Sequence, residues 1–384
     1  MTAKILLAAV AFLYWISLYI YISTLPTYVQ SKSDNLAIVG IVLSMYGLWQ
    51  AIVRLPIGIA ADWLGRRKPF IFAGLLLAGL GAWLMGTAND TGGLLVGRAI
   101  TGLAAGAWVP LVVAFSSLFP AREAVRATAI LTVVNSVGRV SATSVTGSLN
   151  EWAGYSLAFF LATGAATLGI LFLLFTREVR RPPVRPSFNS VGRLITRRDV
   201  LLPALLAAVS QYANWTTTFG FIPILSKEFG GTDVALSALL TMHIGVVLLG
   251  NLFASVTSNR MGSRWLVYLG FSLLAFGMLL AAFAQTLPLL FAAQFCIGFA
   301  QGASYPVLMG LSIKYVADSE RTTAMGLHQS VYALGMFAGP WLSGILASNI
   351  GIQSTFVITA LVCLVLGLYG ASKLERKVPD IQAA

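Results

Sequence analysis

The sequence predicts an all-α membrane protein, with twelve transmembrane helices arranged as two pseudo-symmetric six-helix bundles. Three observations predict it. The chain has 384 residues, of which 58% are hydrophobic and only 10% charged, more apolar surface than one soluble core can hide. Apolar runs of about 20 residues, each enough to cross roughly 30 Å of hydrocarbon as helix, recur along almost its whole length. The two halves of that series also repeat, as matched positions below show.

The candidate spans for helices 1 to 12 are about 5–27, 37–60, 70–88, 93–117, 125–148, 156–175, 201–225, 235–258, 265–284, 288–315, 323–347 and 352–373. Helix 1 has Lys4 ahead of its apolar stretch, as a signal peptide would. It is too long for one, however, and runs through Ser23-Thr24-Leu25-Pro26 without a small-residue cleavage pattern. It contributes Tyr14, Trp15 and Tyr19. Helix 2 carries Tyr46, Gln50 and Arg54 at i, i+4 and i+8, so the three share one face.

Between helices 2 and 3 stands Gly58-Ile-Ala-Ala-Asp62-Trp-Leu-Gly65-Arg66-Arg67-Lys68. This G-x-x-x-D-x-x-G-R-[KR]-[KR] pattern resembles the loop motif of the major facilitator superfamily of secondary transporters, and the resemblance covers almost the whole chain. It implies a latch. Asp62 would approach the positive N-terminal end of helix 11, and Arg66 would pair with an acid at the end of helix 4, for which Glu123 is the candidate. The alternative is a plain positive-inside turn.

Helix 4 carries Arg98, Gly102, Gly106 and Pro110, with Gly97 beside them. The glycines permit close helix approach. Arg98 matches the R-x-x-x-G pattern of facilitator exporters, where the resemblance implies proton coupling or cavity polarity. Helix 5 places Asn135 and Arg139 on one face. Drug/proton antiporters, the group nearest in motifs, carry a Gly-Pro pair in this helix. Here Ala142-Thr143 stands instead, and the pair occurs as Gly339-Pro340 in helix 11.

After helix 6, the stretch from Arg177 to Asp199 carries seven Arg, three Pro and two acids. It reads as a basic linker, which divides the chain into an N-terminal bundle (1–175), a linker (176–200) and a C-terminal bundle with a short tail (201–384). The second bundle offers Gln211, Asn214 and Trp215 on helix 7, His243 on helix 8, Gln294, Gln301 and Tyr305 on helix 10, and His328, Gln329 and Tyr332 on helix 11. Amides and aromatic hydroxyls can orient a cargo without fixing its charge; for each aromatic the alternative is interfacial belt or packing.

The repeat is legible by eye. At an offset of 196 residues, Arg98, Gly102, Gly106 and Pro110 match Gln294, Gly298, Gly302 and Pro306. At 197, Asp62, Gly65 and Arg67 match Asn259, Gly262 and Arg264, while Gly138, Ala142, Thr143 and Gly147 match Gly335, Gly339, Pro340 and Gly344. Repeats of this kind build many transporters, with the site at their interface.

Of the 25 Lys and Arg, 20 fall on the side that holds the linker and both termini, two (Lys32 and Lys227) on the other, and three within spans. The +12 net charge is thus a topology signal that puts the termini in the cytoplasm of an inner membrane, and it argues against nucleic-acid binding. The three within spans are Arg54, Arg98 and Arg139. Each costs at least about 2.5 kcal/mol on insertion scales, and none of the 13 acids lies at their depth. Arginines without counter-charges point to an anionic cargo, because a guanidinium offers planar, bidentate donors. The alternative is that Arg54 and Arg98 snorkel to water.

Cys296 and Cys363 both fall inside helices, and no metal-ligand spacing, phosphate loop or nucleophile elbow occurs. No cofactor, metal or covalent chemistry is expected. With no carboxylate at mid-depth, proton coupling would fall to His243, His328 or Asp62; for the histidines the alternative is hydrogen-bonded packing.

The expectation is a monomeric secondary transporter in the lipid bilayer that moves a small organic solute, anionic rather than cationic, by alternating access, with protons or a counter-anion as partners. Arg54, Gln50, Arg98, Asn135, Arg139, Tyr14, Gln211, Asn214, Trp215, Gln294, Tyr305 and Tyr332 are the candidate cargo contacts. The rivals are a proton-coupled exporter of hydrophobic drugs and a transport-inactive assembly factor or sensor.

Overall fold

The computed structural model describes residues 2–120, 123–178, 188–317 and 320–374. Residues 179–187 of the expected linker lie outside these residues, as do Arg122, Asp318, Glu375 and Asp380. Among the described residues the chain is helical and has no strand. Helix 1 is Thr2–Tyr19, continued past a bend by Leu25–Gln30; helices 2 and 3 are Leu36–Leu64 and Lys68–Thr87. Helix 4 runs Thr91–Ala104, then through a 3₁₀ turn into Trp108–Ser116; helices 5 and 6 are Ala124–Ala153 and Tyr155–Leu174. After a short helix, Phe188–Thr196, helix 7 is Arg198–Thr216, a π turn (Thr217–Phe221) and Ile222–Glu228. Helices 8 to 12 are Asp233–Met261, Ser263–Ala282, Leu287–Ile313, Arg321–Ile350 and Ile352–Ser372.

Local chemistry sets the ends. The Asn35 side chain accepts from the Ala37 N–H at 2.9 Å and Asp90 from that of Gly93 at 2.8 Å, capping helices 2 and 4. Helix 2 stops at Gly65, whose φ of 61° is open to glycine at little cost, and helix 8 stops at the matched Gly262, with φ 83°. The second copy of the loop motif has lost its acid and kept a glycine with positive φ.

Nine of these helices are long and apolar enough to cross a membrane. Helices 1, 5 and 7 fall short, for separate reasons. Helix 5 is diluted by Asn135, Arg139 and a run of Ser and Thr, whereas helices 1 and 7 are interrupted where unbroken helix was expected. Helix 4 bends where Pro110 lacks the N–H that would pair with Gly106. At the 3₁₀ turn just before it, the Ala104 carbonyl accepts from the Tyr14 hydroxyl at 3.1 Å.

Two seams join the bundles. Helix 2 lies along helix 11, with Gly40 against the Pro340 carbonyl and Gly47 against the backbone of Met336 and Phe337. Helix 5 meets helix 8 where Gly147 lies against the Asp233–Val234 backbone. Gly344, the counterpart of Gly147, closes the other seam: a Cβ there would lie 2.7 Å from the Leu36 carbonyl oxygen. Matched glycines thus make matched contacts at the end remote from the basic loops.

Candidate functional site

A central cavity of about 280 Å³ lies between the bundles. Helices 2 and 5 supply Gln50, Arg54, Asn135 and Arg139; helices 7 and 8 supply Gln211, Asn214, Trp215 and His243; Tyr305 and Tyr332 come from helices 10 and 11. No Asp or Glu among the described residues lines it.

Arg54 is buried, and its Nη1 donates to the Tyr332 hydroxyl and to Gln329 Oε1 (3.4 Å). Both partners are neutral. Arg139 is half-buried and makes no hydrogen bond or ion pair among the described residues; its guanidinium lies 4.4 Å from the Tyr19 ring centre and 5.7 Å from that of Trp15. Such ring faces stabilise the cation without cancelling its charge. The Gln50 amide is buried with neither polar atom bonded, and Asn135 and Asn214 likewise each hold a buried, unbonded Oδ1.

The expected site is corrected at three residues. Arg98 is fully buried, its three guanidinium nitrogens meet no partner in good hydrogen-bond geometry among the described residues, and it lies 4.2 Å from the centre of the Tyr46 ring. Tyr46 in turn stacks on Trp215 at 5.4 Å, so that this pair screens Arg98 from the cavity, and the full burial also removes snorkelling. Tyr14 does not line the cavity because its hydroxyl is engaged at the bend of helix 4. Gln294 does not line it either: its Oε1 accepts from Thr218 in the π turn at 2.9 Å, tying helix 10 to helix 7.

The histidines differ in their surroundings. His243 lines the cavity with an unbonded Nδ1, edge-on to Phe219. His328 lies outside the lining, its Nδ1 2.8 Å from the Ser312 hydroxyl, which joins helices 10 and 11.

The loop motif makes partners other than those expected. Asp62 pairs with Arg67 at 3.0 Å, and Arg66 pairs at 3.1 Å with Glu178, not with Glu123, which bonds its own neighbour Arg126 at 3.4 Å. The reason is local. Glu178 follows helix 6 and sits over the start of helix 3, where it accepts the N–H groups of Arg67 (3.0 Å) and Lys68 (3.1 Å), donors that a helix start leaves unpaired. Lys68 Nζ answers by bonding the Leu174 and Thr176 carbonyls at the end of helix 6. These bonds fasten the first bundle to itself.

The cavity is closed at the end remote from the basic loops. Tyr19, Tyr46, Trp215 and Phe219 form a continuous aromatic contact between the bundles. Beyond it Thr143 and Thr241 share a 2.9 Å hydrogen bond, Ser237 accepts from the Gly147 N–H at 2.7 Å, and Asn150 donates to Thr24 (2.7 Å) and Asp233 (3.1 Å). Asp233 also pairs with Lys227 at 2.5 Å.

Sequence reasoning passed over Thr132, Asn251 and Met336, which also line the cavity. The 197-residue offset was the signal that finds them, since it matches Thr132 with Gln329, Arg54 with Asn251, Asn135 with Tyr332 and Arg139 with Met336. All eight positions line the same cavity. Glu178 had no such signal.

The model of the Major Facilitator Superfamily matches residues 7–209 and again 204–383. The inner membrane transport protein YajR of Escherichia coli K12 is 23% identical over 384 residues, which cover 91% of this chain and 78% of that one. The multidrug resistance protein MdtG of Enterobacter lignolyticus is 24% identical over 348 residues, covering 88% and 82%. Among solved structures, the nucleoside transporter NupG superposes with a TM-score of 0.79 at 16% identity, over 97% of this chain and 100% of that one, a likeness of fold alone.

Proposed function

Since the chain belongs to the major facilitator superfamily, we propose that it is a secondary transporter carrying a small organic anion through the central cavity by alternating access. The observation that carries this reading is that Arg54 and Arg139 line a cavity to which no described Asp or Glu contributes. Cations held there without counter-charge lower the free energy of an anion that enters and raise that of a cation. Residues 1–175 and 201–384 act as the two moving bundles, 176–200 as the linker, in an inner membrane with both termini cytoplasmic. The Asn150–Asp233–Lys227 cluster holds one state closed, and opening the far end breaks it.

A second reading rests on the cavity wall and the relatives. Trp15, Trp108, Trp215 and Phe219 line the site, and MdtG is named for multidrug resistance. A proton-coupled exporter of hydrophobic compounds would use these rings for cargo and His243 for the proton.

Thermal stabilisation of the purified protein by matched anionic, neutral and cationic solutes separates the two, because binding to the native state raises the melting temperature by mass action. Anions are expected to stabilise, and Arg139→Gln to remove the effect. Stabilisation by lipophilic cations alone would replace the first reading with the second.

A further inference from the structure

We infer that the cargo is an organic dianion, with one acidic group held by Arg54 and the other by Arg139; this rests on the reading that the central cavity holds the cargo. The two cations do not form one site. Arg54 lies about 15 Å from the Leu64 end of helix 2, and Arg139 about 22 Å from the Ala124 end of helix 5, at 1.5 Å per residue. Counted along their helices from the ends at the basic loops, they stand at two levels of one cavity, offset by roughly 7 Å. A single carboxylate engages one of them and leaves the other uncompensated when the bundles close around it, and an unpaired charge is what a closed, low-dielectric site penalises.

Each guanidinium is also prepared for an acid. Arg139 rests against Tyr19 and Trp15, and no group among the described residues takes up its donors. Arg54 is held by the Tyr332 hydroxyl and the Gln329 amide oxygen, which orient it and leave its charge intact. One turn from each stands an amide, Gln50 beside Arg54 and Asn135 beside Arg139, with buried unbonded polar atoms. These suit a hydroxyl, amide or ester oxygen between the two acids. Arg98 adds no third charge, because the Tyr46–Trp215 pair screens it.

Size narrows the class. At about 280 Å³ the cavity sits at the small end of small-molecule sites, which span roughly 300–1,000 Å³. This suits a dicarboxylate of a few carbons or a small carboxylate that also carries a phosphate ester, two sources of the same chemistry.

The test is equilibrium binding to the purified full chain, read by thermal stabilisation across ligand concentrations. The probes are dicarboxylates of four to six carbons, their monoamides, the matching monocarboxylates, a small carboxylate that carries a phosphate monoester, and inorganic phosphate. The expected result is that one organic dianion binds about 10- to 100-fold more tightly than its monoamide, the range of a charge-assisted hydrogen-bonded pair. Arg54→Gln and Arg139→Gln should each remove that advantage, while the monoamide loses affinity in only one of the two. Arg54→Lys and Arg139→Lys, which keep the charge and lose the planar fork, should retain part of it, and they serve if the Gln variants fold poorly. Preference for the phosphorylated carboxylate over every dicarboxylate would identify one of the two acids as phosphate.

Monoamides or monocarboxylates binding as tightly as the dianions would overturn the inference and leave the anion reading standing. Inorganic phosphate binding as tightly as any organic dianion would also overturn it. Stabilisation by neutral or cationic solutes alone would sink both.

Discussion

The two bundles share one plan and differ in charge. Gly65 and Gly262 both end matched helices with a positive φ, and Gly147 and Gly344 close matched seams. Where the first bundle has Arg54, Arg98 and Arg139, the second has Asn251, Gln294 and Met336. Backbone requirements have been kept in both copies, because a turn with positive φ or a carbonyl at contact distance admits little besides glycine. Charge has not been kept, because the scaffold does not need it. The lesson is that in this chain the repeat describes the scaffold, and departures from the repeat describe the cargo.

The largest effect is expected at the seams. A branched side chain at Gly147 or Gly344 meets backbone atoms that cannot give way, and overpacking of this kind costs about 1–3 kcal/mol or more. Gly147→Val and Gly344→Val should lower the melting temperature by similar amounts, measured in one detergent at one pH. A large drop in one variant with none in the other would break the equivalence of the two seams.

Next in size is moving a charge between the bundles. Arg139→Met is expected to weaken anion binding by about 10- to 100-fold, a loss of one charge-assisted pair. Arg139→Met combined with Met336→Arg restores the number of charges at the matched position. If cargo recognition depends on placement, as two levels of binding require, the double variant stays weak in the stabilisation assay. Recovery to wild-type affinity would mean that only the total charge of the cavity matters.

Much of this comparison was legible in the sequence. The apolar runs located the helices because roughly 20 residues is what hydrocarbon demands. The row Tyr46, Gln50, Arg54 identified a face of helix 2 whose three residues do line the cavity, since helical spacing depends only on the chain itself. What was not legible depends on partners elsewhere. The π turn of helix 7 and the bend after Tyr19 fall in stretches that look like ordinary apolar helix. The screening of Arg98 needs Trp215, a residue 117 positions away, to stack on Tyr46. Glu178 was hidden within a linker that reads as basic, and its role follows only from the packing of helix 6 on helix 3.

The two loop motifs offer a smaller contrast. In the first bundle Glu178 accepts two backbone N–H groups and the Arg66 side chain, and Glu178→Ala should cost about 1 kcal/mol, the usual loss for a helix cap. In the second bundle Arg264 donates to the Tyr268 hydroxyl at 3.0 Å, and Arg264→Gln should cost only a few tenths of a kcal/mol, the size of an i, i+4 pair. Chemical denaturation or melting of both variants checks the order. Equal losses would mean that the second copy of the motif, though without its acid, still fastens its bundle.

The smallest effect is expected where the sequence alone pointed to a large one. Arg98→Gln installs in helix 4 the residue that helix 10 already carries at the matched position, Gln294. The wild-type guanidinium is fully buried with no partner in good hydrogen-bond geometry among the described residues, held by the Tyr46 and Trp215 ring faces. Removing an unpaired buried charge relieves a desolvation cost and is often neutral or stabilising. The melting temperature should therefore stay level or rise, and anion affinity should change by less than about threefold, under half of the 1.4 kcal/mol that a factor of ten represents. The two measurements separate what Arg98 does in different states. Intact stability with a tenfold or greater loss of anion affinity would show that the Tyr46–Trp215 stack parts when cargo binds, and that Arg98 then joins Arg54 and Arg139 as a third contact.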